Sequence, residues 1–202
     1  MELIGMLDSP YVRRAAISLR LLGVPFTHRS WSVFRNFDQF RQLNPLVKAP
    51  TLQLDDGTLL TESGLIIDWA ETISDRPSLM PSEPQTRLRA LRLTGIALAA
   101  SEKSVQIVYE HKRDADKRDA GWLERVTGQL RSAYDLLERE LEGVHGWLFG
   151  DTPTQADITL AVAWGFTQLV VADAIDAKAY PRLVAFAQHA EQHPDFAALP
   201  AT

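Results

Sequence analysis

The sequence predicts two units of different class: an α/β unit over residues 1–77 and an all-helical unit over residues 82–202. Three observations carry this. Up to Ile73, short strand-like runs alternate with amphipathic stretches. Arg76-Pro77-Ser78-Leu79-Met80-Pro81-Ser82 then breaks all periodicity, and beyond it only helical spacing remains.

Glu2 to Met6 reads as a short buried strand. Asp8-Ser9-Pro10 follows with helix-start chemistry, a capping side chain and Pro at the first helical position. That helix runs to Leu22, buries Val12, Ala16 and Leu19, and stops at Gly23, a left-handed cap. Phe26 to Trp31 is a second strand and Phe34 to Leu43 a short helix. Asp55-Asp56-Gly57 between Thr51–Leu54 and Thr58–Leu60 is a hairpin signal. Ser63 to Ile73 is an amphipathic helix with Ile66, Ile67, Trp69, Ala70 and Ile73 available for burial.

In the helical unit, Ser82 and Gln85 form a capping-box pattern for a long helix ending near His111. Asp119 can cap a second helix, whose Leu123, Val126, Leu130, Ala133, Leu137 and Leu141 recur at helical spacing before Gly143 ends it. Thr154-Gln155-Ala156-Asp157 is another capping sequence. It opens Ile158 to Val171, apolar all round and so expected as a buried central helix. Pro181 to Gln192 closes the series.

Composition removes several classes of function. With 21 basic against 26 acidic residues the net charge is −5, and no basic cluster stands out, so neither nucleic acid nor a membrane surface is an expected partner. Zero cysteines exclude disulfides, thiolate-bound zinc and any chemistry that needs a protein thiol. The start, Met-Glu-Leu-Ile-Gly-Met-Leu-Asp, lacks the charge pattern of a secretory leader. The longest uncharged run, Ile158 to Ala172, is shorter than the roughly 20 residues of a membrane span. A cytoplasmic location is expected.

The sequence holds no dinucleotide-binding glycine pattern, phosphate loop, zinc-protease motif or nucleophile elbow. The informative places are Ser9, Lys48-Ala49-Pro50 and Glu62-Ser63. Ser9 stands where a strand passes into a helix, at the positive end of its dipole; there it can cap the helix or donate to an anion. Pro50, between an irregular segment and a strand, is a turn proline or a cis one. Glu62 and Ser63 open a helix, as caps or as a polar pair beside unpaired amides.

Together these blocks resemble the glutathione transferase family. Ser9-Pro10-Tyr11-Val12-Arg13-Arg14, Gly23-Val24-Pro25-Phe26, Asn44 to Leu52, Thr61-Glu62-Ser63 and Thr154 to Ala161 follow one another in family order. The resemblance implies a thioredoxin-like α/β N-terminal domain plus an all-α C-terminal domain. It also implies glutathione as co-substrate with a small hydrophobic electrophile, no metal, a role in detoxification, and a homodimer pairing unlike domains across its interface. Ser9 matches the serine that activates the glutathione thiol in serine-type classes such as zeta and tau. Ala49, before an expected cis-Pro50, would pair its backbone with the cysteinyl part. Glu62 would hold the γ-glutamyl ammonium, Ser63 and its amide the γ-glutamyl carboxylate, and Lys48 the glycine carboxylate. Three positions depart from the pattern: Val47 stands where relatives have Gly, Ala49 where they have Val, and Tyr11 where zeta members have Cys. The last argues against a zeta-type isomerase.

The implied chemistry is modest in cost. A thiol with a pKa of about 8.5 is only about 3% ionised at pH 7, and lowering it by ~2 units requires about 2.7 kcal/mol. A hydroxyl donor and a helix N-terminus can supply that. Tyr11, Tyr109 and His111 are the side chains expected to line the second-substrate pocket. His189 and His193 have the spacing of a metal pair but no third ligand, so a solvated helix end is expected. Alternatives are a glutathione-dependent peroxidase, dehalogenase or isomerase on the same site, or a non-catalytic interaction module.

Overall fold

The computed structural model describes residues 1–201, which group into two compact units: Met1–Leu79 together with the segment from His193 onward, and Met80–Gln192. The sequence boundary places that last segment with the helices; in the structure it packs on the first unit.

The first unit contains β1 (Glu2–Ile4), α1 (Pro10–Leu21), β2 (Thr27–Arg29), α2 (Phe37–Leu43), β3 (Thr51–Gln53), β4 (Leu59–Thr61) and α3 (Ser63–Ile73). The sheet order is β2-β1-β3-β4, with β2 parallel to β1 and β3 antiparallel to both its neighbours. Leu3 is in register with His28 on one side and Leu52 on the other, and Leu52 with Leu60. Helices α1 and α3 pack together. Leu3, Ile4, Val12, Ala16, Leu19, Leu52, Ile66 and Ala70 are fully buried, and each large aliphatic side chain contributes about 1.5–3 kcal/mol.

Three expected elements are shorter than the sequence suggests. β1 ends at Ile4 because Gly5 takes φ 142° and Ser9 N donates to Met6 O at 3.1 Å, closing a turn. β2 loses both ends, since β1 offers only three partners. α2 begins at Phe37, after a turn in which Ser32 Oγ accepts from the amides of Phe34 and Arg35, both at 3.2 Å. Ile73, expected in the core, is exposed. Gly23 ends α1 at φ 69°, with the Arg76 guanidinium where a Cβ would stand, donating to Leu21 O at 3.1 Å.

The second unit contains α4 (Pro84–His111), α5 (Ala120–Glu140), α6 (Gln155–Val170) and α7 (Pro181–Glu191). α6 packs on α4 and α7, and its Ile158–Trp164 run is buried, as its all-round apolarity predicts. The cap of α4 is Glu83, not Ser82: Pro84 occupies the first helical position, and Glu83 accepts from Gln85 N at 2.9 Å and Thr86 N at 2.6 Å. Asp119 caps α5 through Trp122 N. Thr154 donates its amide and its hydroxyl to Asp157 Oδ2, at 2.8 and 2.6 Å, while Leu148 N donates to Oδ1. Glu138 of α5 caps α7, accepting from Arg182 N and Leu183 N at 2.9 Å each.

A last short helix, α8 (Pro194–Ala197), is absent from the sequence expectation; it lies on α1 in the first unit. Among the described residues no helix is long and apolar enough to cross a membrane.

Candidate active site

The junction between β1 and α1 sets Ser9 at the N-terminus of a twelve-residue helix. Its backbone is extended, and Ser9 O accepts from Arg13 N at 3.0 Å, but its side chain makes no capping hydrogen bond. The bland expectation, a hydroxyl spent on capping, is therefore not met. Ser9 is partly exposed and stands in the positive field of the helix end.

Gly5 brings the next element close. A Cβ on Gly5 would sit 2.5 Å from Val12 Cγ2 and 3.0 Å from Ala49 Cβ, so only a bare backbone lets β1, α1 and the loop before β3 converge here. The Ala49-Pro50 peptide bond is cis. Asn44 ties the loop together: its Nδ2 donates to Thr51 Oγ1 at 2.9 Å, and Thr51 Oγ1 donates to Lys48 O at 2.7 Å. Pro50 is buried, Ala49 half-buried and the Lys48 side chain exposed. Val47, where the family pattern has Gly, takes φ 47°, a left-handed conformation unfavourable to a β-branched residue.

Glu62 and Ser63 open α3, with Glu62 at φ 79°. Glu62 Oε2 accepts from Gly64 N at 2.9 Å and Leu65 N at 3.3 Å; Oε1 accepts from Ser63 Oγ at 3.1 Å. Behind them lies Arg14 of α1, 5% exposed, whose Nη1 donates to Ser63 Oγ at 2.8 Å. Burial alone would push the Glu62 carboxyl up; the Gly64 amide, the Ser63 hydroxyl, the Leu65 amide and the Arg14 charge outweigh it and hold it below the usual carboxylate range. Burial pulls the Arg14 guanidinium down to about 10, against the opposing pull of Glu62 and Tyr11. Arg14 has no role in the sequence expectation. Its signal was an arginine pair set among Val12, Ala15, Ala16 and Ile17.

The first unit thus holds Ser9, Lys48, Ala49, Pro50, Glu62 and Ser63, with Tyr11 half-buried two residues beyond Ser9. Tyr109 and His111 belong to the second unit, at the exposed end of α4. The Lys112 ammonium lies 5.7 Å from the Tyr109 ring centre, and the His111 carbonyl accepts from Arg118. Two recesses of the helical unit, of about 320 and 500 Å³, contain none of these side chains. Among the described residues no group of three or more His, Cys, Asp or Glu is placed to hold a metal ion. His189 instead stacks edge-on against Trp147, ring centres 4.7 Å apart, and His193 Nδ1 accepts from Asp195 N at the start of α8.

Comparison with known proteins agrees with this architecture. Residues 3–78 match the family model for the glutathione S-transferase N-terminal domain, and residues 120–189 that for its C-terminal domain. The chain is 30% identical to the maleylacetoacetate isomerase of Pseudomonas aeruginosa, over 91% of this chain and 87% of that one. It is 29% identical to the uncharacterized GST-like protein YibF of Escherichia coli, over 82% and 81%. A crystal structure of a glutathione S-transferase from Methylobacterium radiotolerans in complex with glutathione sulfonate superposes with a TM-score of 0.90 at 28% identity, covering 100% of this chain and 95% of that one. With both domain models matched in order and a relative 30% identical along nearly the whole chain, this protein belongs to the glutathione S-transferase family.

Proposed function

We propose that the protein binds glutathione in its first unit, ionises the thiol beside Ser9, and directs the thiolate onto a small hydrophobic electrophile. The observation that carries the reading is the Ser9 hydroxyl at the start of α1, not spent on capping that helix. A hydroxyl donor and a helix dipole both stabilise a thiolate relative to a thiol. Lys48 takes the glycine carboxylate, the Ala49 backbone the cysteinyl amide, and Glu62 with Ser63 the γ-glutamyl end. Tyr11, Tyr109 and His111 are the side chains proposed to meet the electrophile. No metal takes part, and a cytoplasmic role in detoxification fits.

The test is Ser9→Ala with bound glutathione titrated by thiolate absorbance and conjugation to an aryl halide followed in parallel. The thiol pKa should rise by ~2 units and the rate near pH 6.5 should fall about tenfold or more. Unchanged pKa and rate would remove Ser9 from its role, and wild-type protein that takes up no glutathione would leave an interaction module.

Isomerisation on the same site is a second reading, favoured by the maleylacetoacetate isomerase relative. The thiolate would add to a cis double bond and leave again after rotation, so glutathione would be regenerated. Tyr11, where zeta members carry Cys, weighs against it. Assaying aryl halides, hydroperoxides and cis-unsaturated diacids side by side separates the activities.

A homodimer is proposed from the family resemblance and from exposed apolar side chains. Leu65 and Ile73 on α3 are 61% and 47% exposed, Leu88 and Leu91 on α4 63% and 52%. A second copy that covers these faces would remove them from water. Sedimentation of the wild type against Leu88→Asp should give a dimer and a monomer.

A further inference from the structure

The loop between α5 and α6 leaves a recess of about 320 Å³ beside α7, lined entirely by residues of the second unit. Part of the lining is apolar: Leu141 and Phe186 are buried and Val144 is half-buried, while Ala185 of α7 is exposed. The loop is pinned at several points. Val144 N donates to Leu141 O at 3.1 Å, Leu148 N donates to Asp157 at the start of α6 at 2.7 Å, and Trp147 pairs with Gly150 in an antiparallel bridge. Trp147 also holds two lining rings edge-on, Phe186 with ring centres 6.2 Å apart and His189 with centres 4.7 Å apart. A recess held in this way is formed before any ligand arrives.

The rest of the lining carries nitrogen and no carboxylate: Arg182, His145 and His189 are all exposed. Glu138 and Glu142, from α5 and the turn after it, face the Arg182 guanidinium at 3.8 Å each, beyond hydrogen-bond distance. Glu138 is spent on the amides of Arg182 and Leu183, and the Glu142 side chain is 77% exposed. Among the described residues, the guanidinium therefore makes no hydrogen bond, and its planar fork of donors is unspent. We propose that this recess is a second binding site, for a small aromatic monocarboxylate whose ring lies against Phe186 and Val144 and whose carboxylate meets Arg182. The guanidinium fork matches a carboxylate with two parallel hydrogen bonds, and the two imidazoles add ring nitrogens to the same lining. One guanidinium calls for one carboxylate; a second would have to lie against Leu141 and Phe186. The volume is at the lower end of the roughly 300–1,000 Å³ of small-molecule sites, which sets the ligand at one or two fused rings. The recess shares no residue with the site built on Ser9, so the inference stands apart from the functional reading above.

The test is calorimetric titration of the full chain with 2-naphthoate and with its neutral counterpart of similar shape, 2-naphthamide, on wild type, Arg182→Gln and Ala185→Phe. Wild type should bind the acid with a Kd at or below about 1 mM. Arg182→Gln should weaken the acid by about tenfold or more and change the amide by no more than about twofold. Ala185→Phe, an exposed helical position that puts a ring into the recess, should weaken both ligands by about tenfold or more. S-hexylglutathione, added to saturation, should leave 2-naphthoate binding in place. No heat of binding from 2-naphthoate at ~5 mM overturns the proposal. Equal losses of acid and amide in Arg182→Gln assign that residue to general structure and overturn it too. Binding that survives Ala185→Phe, or that S-hexylglutathione displaces, puts the ligand elsewhere and overturns it as well. Should Arg182→Gln fail to fold, Arg182→Lys, which keeps the charge and loses the fork, takes its place with a loss of about threefold or more expected for the acid alone.

Discussion

Arg13 Nε donates to the carbonyl of Leu199 at 2.8 Å, across 186 positions of sequence. Arg13 is 3% exposed and also reaches Phe196 O at 3.5 Å, so a buried cation satisfies carbonyls at the end of α8. Arg20 adds an ion pair to Asp195 at 3.0 Å. Arg13→Ala should destabilise the protein by about 2–3 kcal/mol, because charged hydrogen bonds are lost and buried carbonyls are left without a donor. Urea unfolding measures it; a loss below about 0.5 kcal/mol would mean that water replaces the guanidinium without penalty.

Val47 predicts the opposite sign. At φ 47° a β-branched side chain costs about 1–2 kcal/mol. Val47→Gly relieves that cost and offsets part of it by loosening the unfolded chain by about 0.5–1 kcal/mol. The variant should be up to about 1 kcal/mol more stable. A clear destabilisation in thermal unfolding would show that Val47 packing outweighs its backbone.

Glu140 on α5 pairs with Arg92 and with Arg89, the latter at 3.1 Å. The Arg92 hydrogen bond, with help from Arg89 and against burial, holds its carboxyl below the usual range. A depressed folded-state pKa adds stability that is present above the unfolded value, near 4.5, and lost as pH falls through the folded one. Both arginines are about half exposed, so Glu140→Gln should cost only about 0.5–1 kcal/mol at pH 7. The difference between the two proteins should vanish on acidification below the folded pKa; a difference that persists there would assign it to packing.

Tyr134 is fully buried, edge-on to Trp164, and its hydroxyl meets Ala163 O at 3.0 Å and Thr167 Oγ1 at 2.6 Å. Burial pushes its pKa well up, so it stays neutral throughout the accessible range. Thr167 keeps Ser104 as partner when the hydroxyl goes. Tyr134→Phe should therefore cost about 1 kcal/mol in chemical unfolding, against the 3–5 typical of deleting the ring.

Much of this was legible wherever the signal is local. Pro10 and Gly23 bracket α1, the Asp56-Gly57 turn sets the β3–β4 hairpin, and Thr154 with Asp157 opens α6, because each rule acts within four residues. Strand ends were not legible, since β1 stops where Gly5 turns and β2 is only as long as the partner it meets. The choice of Glu83 over Ser82 was present in Pro84, which fixes the first helical position. Arg13, Arg14 and α8 were missed for one reason. What makes a charged residue on an apolar helix face acceptable is a partner 49 or 186 positions away, and spacing along the chain carries no trace of it.

The segment around α8 also has a consequence for biosynthesis. Residues 80–192 interrupt a unit whose closing piece is translated last. The sheet and α1 can form early on the ribosome, but Arg13 must wait, buried charge and all, until Leu199 leaves the exit tunnel, whereas the four long helices need nothing beyond Gln192 to finish. The unit that begins first is completed second.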